Sequence, residues 1–486
     1  MKLKELIKDT SVKKVIGNIE NIDIENLDIS SKNIKKNTLF IAQKGLNVDG
    51  HNFAGEAVKN GAVALAVEKE ITGISVPQIV VDNTRKASGN LASTFYGNPK
   101  NKLKFVGITG TNGKTSSTYF LAEFLKQAGK KTAVIGTLGT FFNGLHFDTD
   151  LTTPDPLKLH KTLDILRKHG AEYVVMEVSA HAIDLKKVDN INFEVGILTN
   201  ITQDHLDYFK TMNEYAKTKL DWFKNGNIKF SIINADDKHC LSLINNPNTL
   251  SFGLYNPSDV FAINIEKSAR NTEFVLDLLH NVMNCKTNLA GEFNVYNVMA
   301  TATAALCLGV DLKDIEKTMQ KLKAPLGRFS VVELENNKTV IIDYAHTPDS
   351  LEKVLKTARE ICKGKLISVF GCGGNRDVTK RPIMGSISEN LADFSIITSD
   401  NPRFEEPESI VNQIETGMKN SNHIKVTNRK SAIKKALSMI KPNDMAIISG
   451  KGAELYQDIK GTKYPYNDFD EIDKFKKNNF QTLCKE

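Results

Sequence analysis

The chain is poor in the features that mark secreted, membrane-embedded and fibrous proteins. Its 486 residues include one tryptophan and six cysteines, at positions 240, 285, 307, 362, 372 and 484. The cysteines form no CxxC pair and no metal-ligand spacing, so free thiols are expected rather than a disulfide scaffold or a zinc site. The sequence has no apolar run of the ~18 residues needed to cross a bilayer. Its N-terminus, MKLKELIKDTSVKKV, is amphipathic and lacks a signal-peptide core. A cytoplasmic protein without membrane insertion is the expectation. Low-complexity tracts and short-period repeats are missing too. With 41% apolar and 25% charged residues, the chain reads as globular and long enough for two or three domains with real cores. The net charge of +7 permits nucleic-acid binding, but the lysines are scattered, without a basic arm or interleaved aromatics. Small polyanionic ligands, or a lysine-rich surface with no ligand, account for the surplus equally well.

Apolar runs followed by helical patterns recur along the chain, which predicts an α/β architecture with largely parallel sheets. Three blocks separate, 1–98, 99–325 and 326–486, with junctions at the turn-forming YGNPKNK and near KAPLGRF. The third block carries the strand-like runs KLISVFG, FSIITSD and MAIISG, each ending in Gly, Asp or Ser before a loop. Ligands of open α/β sheets bind at such carboxyl ends.

The second block opens with LKFVGIT followed by GTNGKTSSTYFLAEFLKQAG, a strand, a glycine-rich turn and an amphipathic helix. Gly110 and Gly113 let the backbone curl around phosphates, Lys114 supplies a point charge, and Thr115 offers a hydroxyl to Mg²⁺. The pattern GxxxxGK[ST] is not met strictly, because Ile108 stands at its first glycine. Downstream, AEYVVMEVSAH places Glu177 where a strand leaves the sheet, a suitable position for holding Mg²⁺. FEVGILTNITQDHLDYF ends another strand with Asp204, His205 and Asp207, read either as metal environment or as helix capping by Asp204.

MNEYAKTKLDWF (212–223) poses a separate puzzle. Met212, Tyr215, Ala216, Lys219, Trp222 and Phe223 share one helical face, and Lys217 lies off it. Lys219 either buries its stem and snorkels its charge outward or has a reason to be inside.

In order and spacing, GTNGKT, LTTPDP (151–156), MEVSAHA, TNITQDHLDYF, GEFNVYN (291–297), GRF (327–329), DYAHTP (343–348), GCGGNRD (371–377), SDNPR (399–403) and SGKGAE (449–454) resemble the Mur ligases. The likeness covers all three blocks. It implies three α/β domains: an N-terminal UDP-binding domain, a central P-loop ATPase-like mostly parallel sheet, and a C-terminal Rossmann-like domain. It also implies an ATP-dependent, ADP-forming ligase that extends UDP-N-acetylmuramoyl-L-alanyl-D-glutamate by one residue through an acyl phosphate, acting as a monomer on small molecules and not on nucleic acid. Both steps gather negative charge, so cations fixed in advance should do most of the catalysis.

By the same resemblance, Gly110, Thr111, Asn112, Gly113, Lys114 and Thr115 take ATP together with Asn294, Arg328, Asp343 and His346; without it, Asn294 reads as a helix cap, a common place for asparagine. Lys114, Glu177, His205 and Lys219 are the catalytic set, and Mg²⁺ is held by Thr115, Glu177 and Lys219. The last of these implies a CO₂-derived carbamate on Lys219, since an ammonium cannot ligate a metal and burial among aromatics disfavours the charged amine. Ser31, Thr152, Thr153, Ser179 and Lys187 fall on the nucleotide-sugar dipeptide. Lys187 stands where such enzymes often carry arginine, and lysine lacks the bidentate fork. VDGHNFA (48–54) looks like a uridine-side loop.

Ligases of this kind that add meso-diaminopimelate carry DNPR, and those that add L-lysine generally lack its arginine. Pro402 restrains Asn401 to extended geometry, and the Arg403 fork suits a second carboxylate on the incoming amino acid. Arg376, Asp400, Asn401, Pro402, Gly450 and Glu454 complete the expected acceptor site. Without the resemblance, Arg403 with Glu405 and Glu406 reads as a surface ion pair. The alternatives are an L-lysine-adding ligase, a folylpolyglutamate synthetase on the same scaffold, or a P-loop switch that hydrolyses nucleotide without an acceptor.

Overall fold

The computed structural model describes residues 1–45, 48–149, 151–268 and 271–483. By packing, these fall into two compact units. One holds Met1–Thr109, Gly129–Ile197 and Thr218–Ser231, the other Gly110–Ala128, Leu198–Lys217 and Ile232–Glu486.

The first unit begins with a five-stranded sheet of β1 (Val12–Ile16), β2 (Asn26–Asp28), β3 (Thr38–Ile41), β4 (Ala62–Val67) and β5 (Gln78–Val81). Their spatial order is β1-β5-β4-β3-β2, with only the β1–β5 pair antiparallel. Every residue of β3 and β5 is buried, as expected of parallel strands covered on both faces. The unit's second group of strands comprises β6 (Lys104–Thr109), β7 (Thr132–Gly136), β8 (Gly139–Phe142), β9 (Leu145–Phe147), β10 (Tyr173–Glu177) and β11 (Phe193–Leu198), ordered β11-β6-β10-β7-β8-β9. The β6, β10 and β7 strands are parallel, so β10 delivers Glu177 at the same end at which β6 delivers Thr109.

In the second unit, β13 (Thr249–Gly253), β14 (Val260–Lys267), β15 (Thr272–Leu278) and β16 (Asn281–Thr287) lie in sequence order, after β12 (Ile228–Asn234), which passes from one unit to the other. Beyond them β17 (Ser330–Leu334), β18 (Lys338–Asp343), β19 (Leu366–Phe370), β20 (Phe394–Ile397), β21 (His423–Lys425) and β22 (Met445–Ser449) form a six-stranded sheet ordered β17-β18-β22-β19-β20-β21. All its pairs but β17–β18 are parallel. The central strands β19 and β22 are buried throughout. Helix Pro348–Ile361 starts in a capping box between Thr347 and Ser350 and packs Leu351, Val354, Leu355 and Ala358 on the sheet, the i, i+3, i+4, i+7 spacing of one face. Removing Leu351 to alanine would cost about 2–5 kcal/mol.

The α/β class with largely parallel sheets follows the sequence expectation, and each strand anticipated in the third block is present. Among the cysteines, Cys285, Cys307, Cys362 and Cys372 are free thiols, and Cys484 lies outside the described residues.

Candidate active site

The phosphate loop is crowded to the point that only glycine fits. Gly110 has φ +144, and a Cβ there would stand 1.9 Å from Thr199 Oγ1. Gly113, at φ +86, opens the helix Lys114–Gln127, and a Cβ there would come within 2.5 Å of Asn297 Oδ1. Both positions need a conformation and a clearance that other residues lack. The loop is held by neutral hydrogen bonds to the segment after β11. Asn112 N donates to Asn200 Oδ1 (2.9 Å), Thr199 Oγ1 donates to Asn112 O (2.6 Å), and Thr111 N donates to Asn200 O (2.8 Å). Lys114 Nζ folds back onto the carbonyls of Gly110 (3.0 Å) and Thr111 (2.8 Å).

Third-block side chains reach this loop within the same unit. Arg328 Nη2 donates to Thr115 Oγ1 at 3.1 Å, and its guanidinium lies 4.2 Å from the centre of the Tyr344 ring. Asn112 Nδ2 donates to Asp349 at 2.6 Å. Asp204 is buried, with His205 Nε2 at 3.4 Å, His346 Nε2 at 3.7 Å and Lys380 Nζ at 3.9 Å. Burial opposes its ionisation, but the hydrogen bond from His346 and the interactions with His205 and Lys380 outweigh it and hold the carboxyl well below the ordinary range. Asp343 shows the opposite balance. It is buried deeply enough to raise its pKa although Arg328 lies near, and its carboxylate accepts from the backbone N–H groups of Phe329 (2.6 Å) and Ala345 (2.7 Å).

Asn294 is not a helix cap. It sits inside the first turn of Glu292–Cys307, buried, and its Nδ2 donates to Ala290 O at 2.9 Å. It lines a cavity of about 380 Å³ with Asn288, Ala290, Lys323, Phe329 and Ser330.

In the first unit, Glu177 is 1% exposed and accepts from Thr137 N at 2.8 Å. Thr137 Oγ1 pairs with Thr152 Oγ1 at 3.0 Å, and Thr153 Oγ1 donates to Glu177 O at 2.9 Å. Ser179 caps Ala180–Asp184 and donates its backbone N–H to Thr153 Oγ1. Lys187 is buried and ion-paired with Asp155 at 2.7 Å. Thr152, Thr153, Ser179 and Lys187 thus form one cluster around Glu177. Ser31 is held separately, its hydroxyl donating to Glu56 at 2.7 Å.

Lys219 is 1% exposed, with Nζ 3.4 Å from Thr109 Oγ1. The snorkelling reading therefore fails, while Lys217 is exposed as its place off the apolar face requires. Trp222 packs edge-on against Phe193, and the absent Cβ of Gly107 makes room for both rings.

The acceptor segment follows β20. Asn401 Nδ2 donates to Glu454 at 2.9 Å, and Lys451 Nζ donates to both Asn401 Oδ1 (2.9 Å) and Glu454 (2.7 Å). Gly450, at φ +116, leaves space beside Asp400, whose Oδ2 a Cβ would meet at 2.4 Å. Asp400 is fully enclosed, yet Lys451 and Arg429 overcome its desolvation and lower its pKa. Arg403 adopts φ +51, and its Nη1 donates to Gly374 O at 2.8 Å. Glu405 pairs with Arg381 instead, and the carboxylate near Arg403 is that of Asp458, 3.9 Å from Nε, so the expected pairing with Glu405 does not form. Arg376 is half-exposed, 3.7 Å from Asp207.

Comparison with known proteins shows the family. A UDP-N-acetylmuramoyl-L-alanyl-D-glutamate--2,6-diaminopimelate ligase of Clostridium acetobutylicum is 43% identical, over 97% of this chain and 98% of its own. The chain belongs to the Mur ligase family. Its residues 108–305 match the Mur ligase middle domain, 327–452 the Mur ligase glutamate ligase domain, and 23–96 the Mur ligase family catalytic domain. The ligase of the same name from Aquifex aeolicus is 43% identical over 92% of each chain. A solved structure of a UDP-N-acetylmuramoyl-L-alanyl-D-glutamate--2,6-diaminopimelate ligase, 30% identical, superposes with a TM-score of 0.68 over 96% of this chain and 97% of the other. The three-domain Mur ligase fold is therefore that of this protein.

Several side chains that build this Mur ligase site carried no signal in the sequence reading. Thr137, Thr199, Asn200, Lys380, Arg381 and Lys451 act through partners far away in the chain. Two quoted motifs contained some of them, TNITQDHLDYF with Thr199 and Asn200 and SGKGAE with Lys451, but each drew attention to neighbouring residues instead.

Proposed function

We propose that this Mur ligase joins meso-2,6-diaminopimelate to the D-glutamate carboxylate of UDP-N-acetylmuramoyl-L-alanyl-D-glutamate at the expense of ATP, in peptidoglycan precursor synthesis. The reading rests above all on near full-length likeness to relatives named for that reaction. The glutamate carboxylate attacks the γ-phosphate, ADP leaves, and the amino group of diaminopimelate then displaces phosphate from the acyl phosphate.

Lys114 and Arg328 are the cations suited to phosphate oxygens and His346 a ring N–H donor to them, with the amides of Gly110 to Gly113 and the helix N-terminus behind them. Asn294 and the cavity beside it take the adenine, and Asp343 the ribose. Thr152, Thr153, Ser179 and Lys187 hold the dipeptide portion of the nucleotide sugar, and Ser31 its uridine side. Arg376, Asp400, Asn401, Pro402, Arg403, Gly450 and Glu454 receive the diamino acid.

Thr115, Glu177 and a carbamylated Lys219 offer only hard oxygen donors, which suits Mg²⁺. No group of three His, Cys, Asp or Glu side chains among the described residues is placed to hold a metal. When bound, Mg²⁺ would neutralise phosphate oxygens. His205 borders the same loop, held by Asp204. The reading includes domain limits at 98/99 and 325/326, a monomer and a cytoplasmic location. No helix among the described residues is long and apolar enough to cross a membrane.

Phosphate release from ATP, measured with the nucleotide dipeptide and with or without meso-diaminopimelate, tests the proposal. Turnover should require both substrates. Turnover independent of both would indicate a nucleotide switch, and a preference for L-lysine would overturn only the choice of acceptor.

A further inference from the structure

Arg381 is a large cation with no exposed surface, set in helix Lys380–Leu391 away from the proposed substrate contacts. Its fork meets Glu405 twice, Nη1 to Oε2 at 2.8 Å and Nη2 to Oε1 at 3.0 Å. Nη1 also donates to Gln413 Oε1 at 2.7 Å, and Nη2 to Gly373 O at 3.3 Å. A buried pair of this kind adds little stability over apolar packing, because desolvation offsets the attraction. Its contribution here is geometric.

Glu405 lies two residues beyond Arg403, and Gly373 lies one residue before the carbonyl that Arg403 holds. The two loops are joined again by Gly374 N to Asn401 O (2.9 Å), Asn375 N to Glu405, and Phe404 N to Asn375 Oδ1 (3.0 Å). They approach so closely that a Cβ on Gly374 would strike Pro402 O at 2.0 Å, and one on Gly373 would meet Arg403 Nη1 at 2.8 Å.

We propose that the pair of buried Arg381 and partly exposed Glu405 is a positioning device that locks loops 371–377 and 399–406 together and so aims Arg403, setting the preference for an amino acid with a second carboxylate. Neither residue touches the acceptor. They act by denying Arg403 other orientations, and small misplacements of a recognition group are costly.

The inference rests on Arg403 facing the acceptor, and the test separates the two ideas. Arg381→Lys keeps the charge but loses the fork, and Arg381→Met with Glu405→Gln removes both charges while keeping bulk. In each, the kcat/KM ratio of meso-diaminopimelate to L-lysine should fall about ten- to a hundredfold, through KM for diaminopimelate. KM for ATP and for the nucleotide dipeptide should stay unchanged. In an Arg403→Ala background the same substitutions should leave the ratio unmoved. Hydrogen exchange gives a readout independent of acceptor identity. The amides of Asn375, Phe404 and Glu405 should lose protection, while that of Ser117, bonded to Gly113 O, should not. Unaltered protection, or an equal fall of the ratio without Arg403, would overturn the proposal. If the native enzyme ignores diaminopimelate, the functional reading fails, and the exchange data still judge the clamp.

Discussion

The phosphate loop and the acceptor loop solve the same problem with different materials. Around Gly110 and Gly113 the chain is fixed by neutral amides and hydroxyls, with Thr199, Asn200 and Asn297 filling the space that a side chain would need. Around Arg403 it is fixed by ion pairs with a buried cation, Arg381 with Glu405 and, through Asn401, Lys451 with Glu454; farther along the sheet Arg429 and Asp468 form a fully buried pair. On the proposed function the first loop would wrap a polyanion in backbone N–H groups, and its supports are mostly neutral, with Asp349 at Asn112 adding a carboxylate. A loop that must present one guanidinium in one direction needs rigid counter-charges behind it. The first kind of rigidity is steric and intolerant of any added atom. The second is electrostatic and fails when one partner is removed.

Substitutions can break or sharpen that contrast. The largest effect is expected of Gly110→Ala, whose Cβ has no room beside Thr199; turnover should fall at least about a hundredfold, read as phosphate release, and a tolerated alanine would end the steric account. Lys219→Ala should come close to that loss and resist rescue by added bicarbonate, while Lys217→Ala stays within about 0.5 kcal/mol of native stability and near native turnover. Equal effects of the two would remove Lys219 from the chemistry. On the electrostatic side, Asp468→Asn leaves Arg429 buried without its counter-charge and should cost about 3–5 kcal/mol in denaturant unfolding. Asn200→Ala, the neutral counterpart, should cost about 1–3 kcal/mol. If the two losses were alike, the division into neutral and ionic supports would be empty.

The smallest effect is one of pH. Asp204 has its folded pKa lowered, so its unfolded form binds the proton more readily. Its stabilising contribution is then complete above the ordinary aspartate value of about 3.9 and is lost as pH falls toward the folded value. Asp343, with its pKa raised, has the opposite sign, destabilising increasingly as pH rises through the window between its unfolded and folded values. Unfolding titrations of Asp204→Asn and Asp343→Asn should therefore flatten slopes of opposite direction.

What the sequence disclosed divides along the same line. Steric rigidity leaves marks in a short stretch: GTNGKT shows its glycines, and the 3.6-residue period of 212–223 puts Lys219 on the apolar face and Lys217 off it, although only the structure decides that Lys219 is buried rather than snorkelling. The α/β class and the strands of the third sheet were likewise readable from apolar runs. Strand order was not, because β6 lies between β10 and β11 through pairings that no local pattern encodes. Electrostatic rigidity leaves no local mark. Arg381 and Glu405 are 24 residues apart, and each alone resembles a surface charge. Asn294 was ambiguous for the converse reason, since asparagine at a helix start is common whether it caps or, as here, faces a cavity.

Arg403 has one more consequence. At φ +51 it holds a backbone shape that glycine or asparagine adopts readily and that most residues occupy only under strain of about 1–3 kcal/mol. The fold would be content with glycine there. Laboratory selection for heat resistance alone should favour Arg403→Gly or Arg403→Asn and surrender acceptor discrimination on the way. On the proposed function, the arginine here gives up backbone ease for recognition of the acceptor.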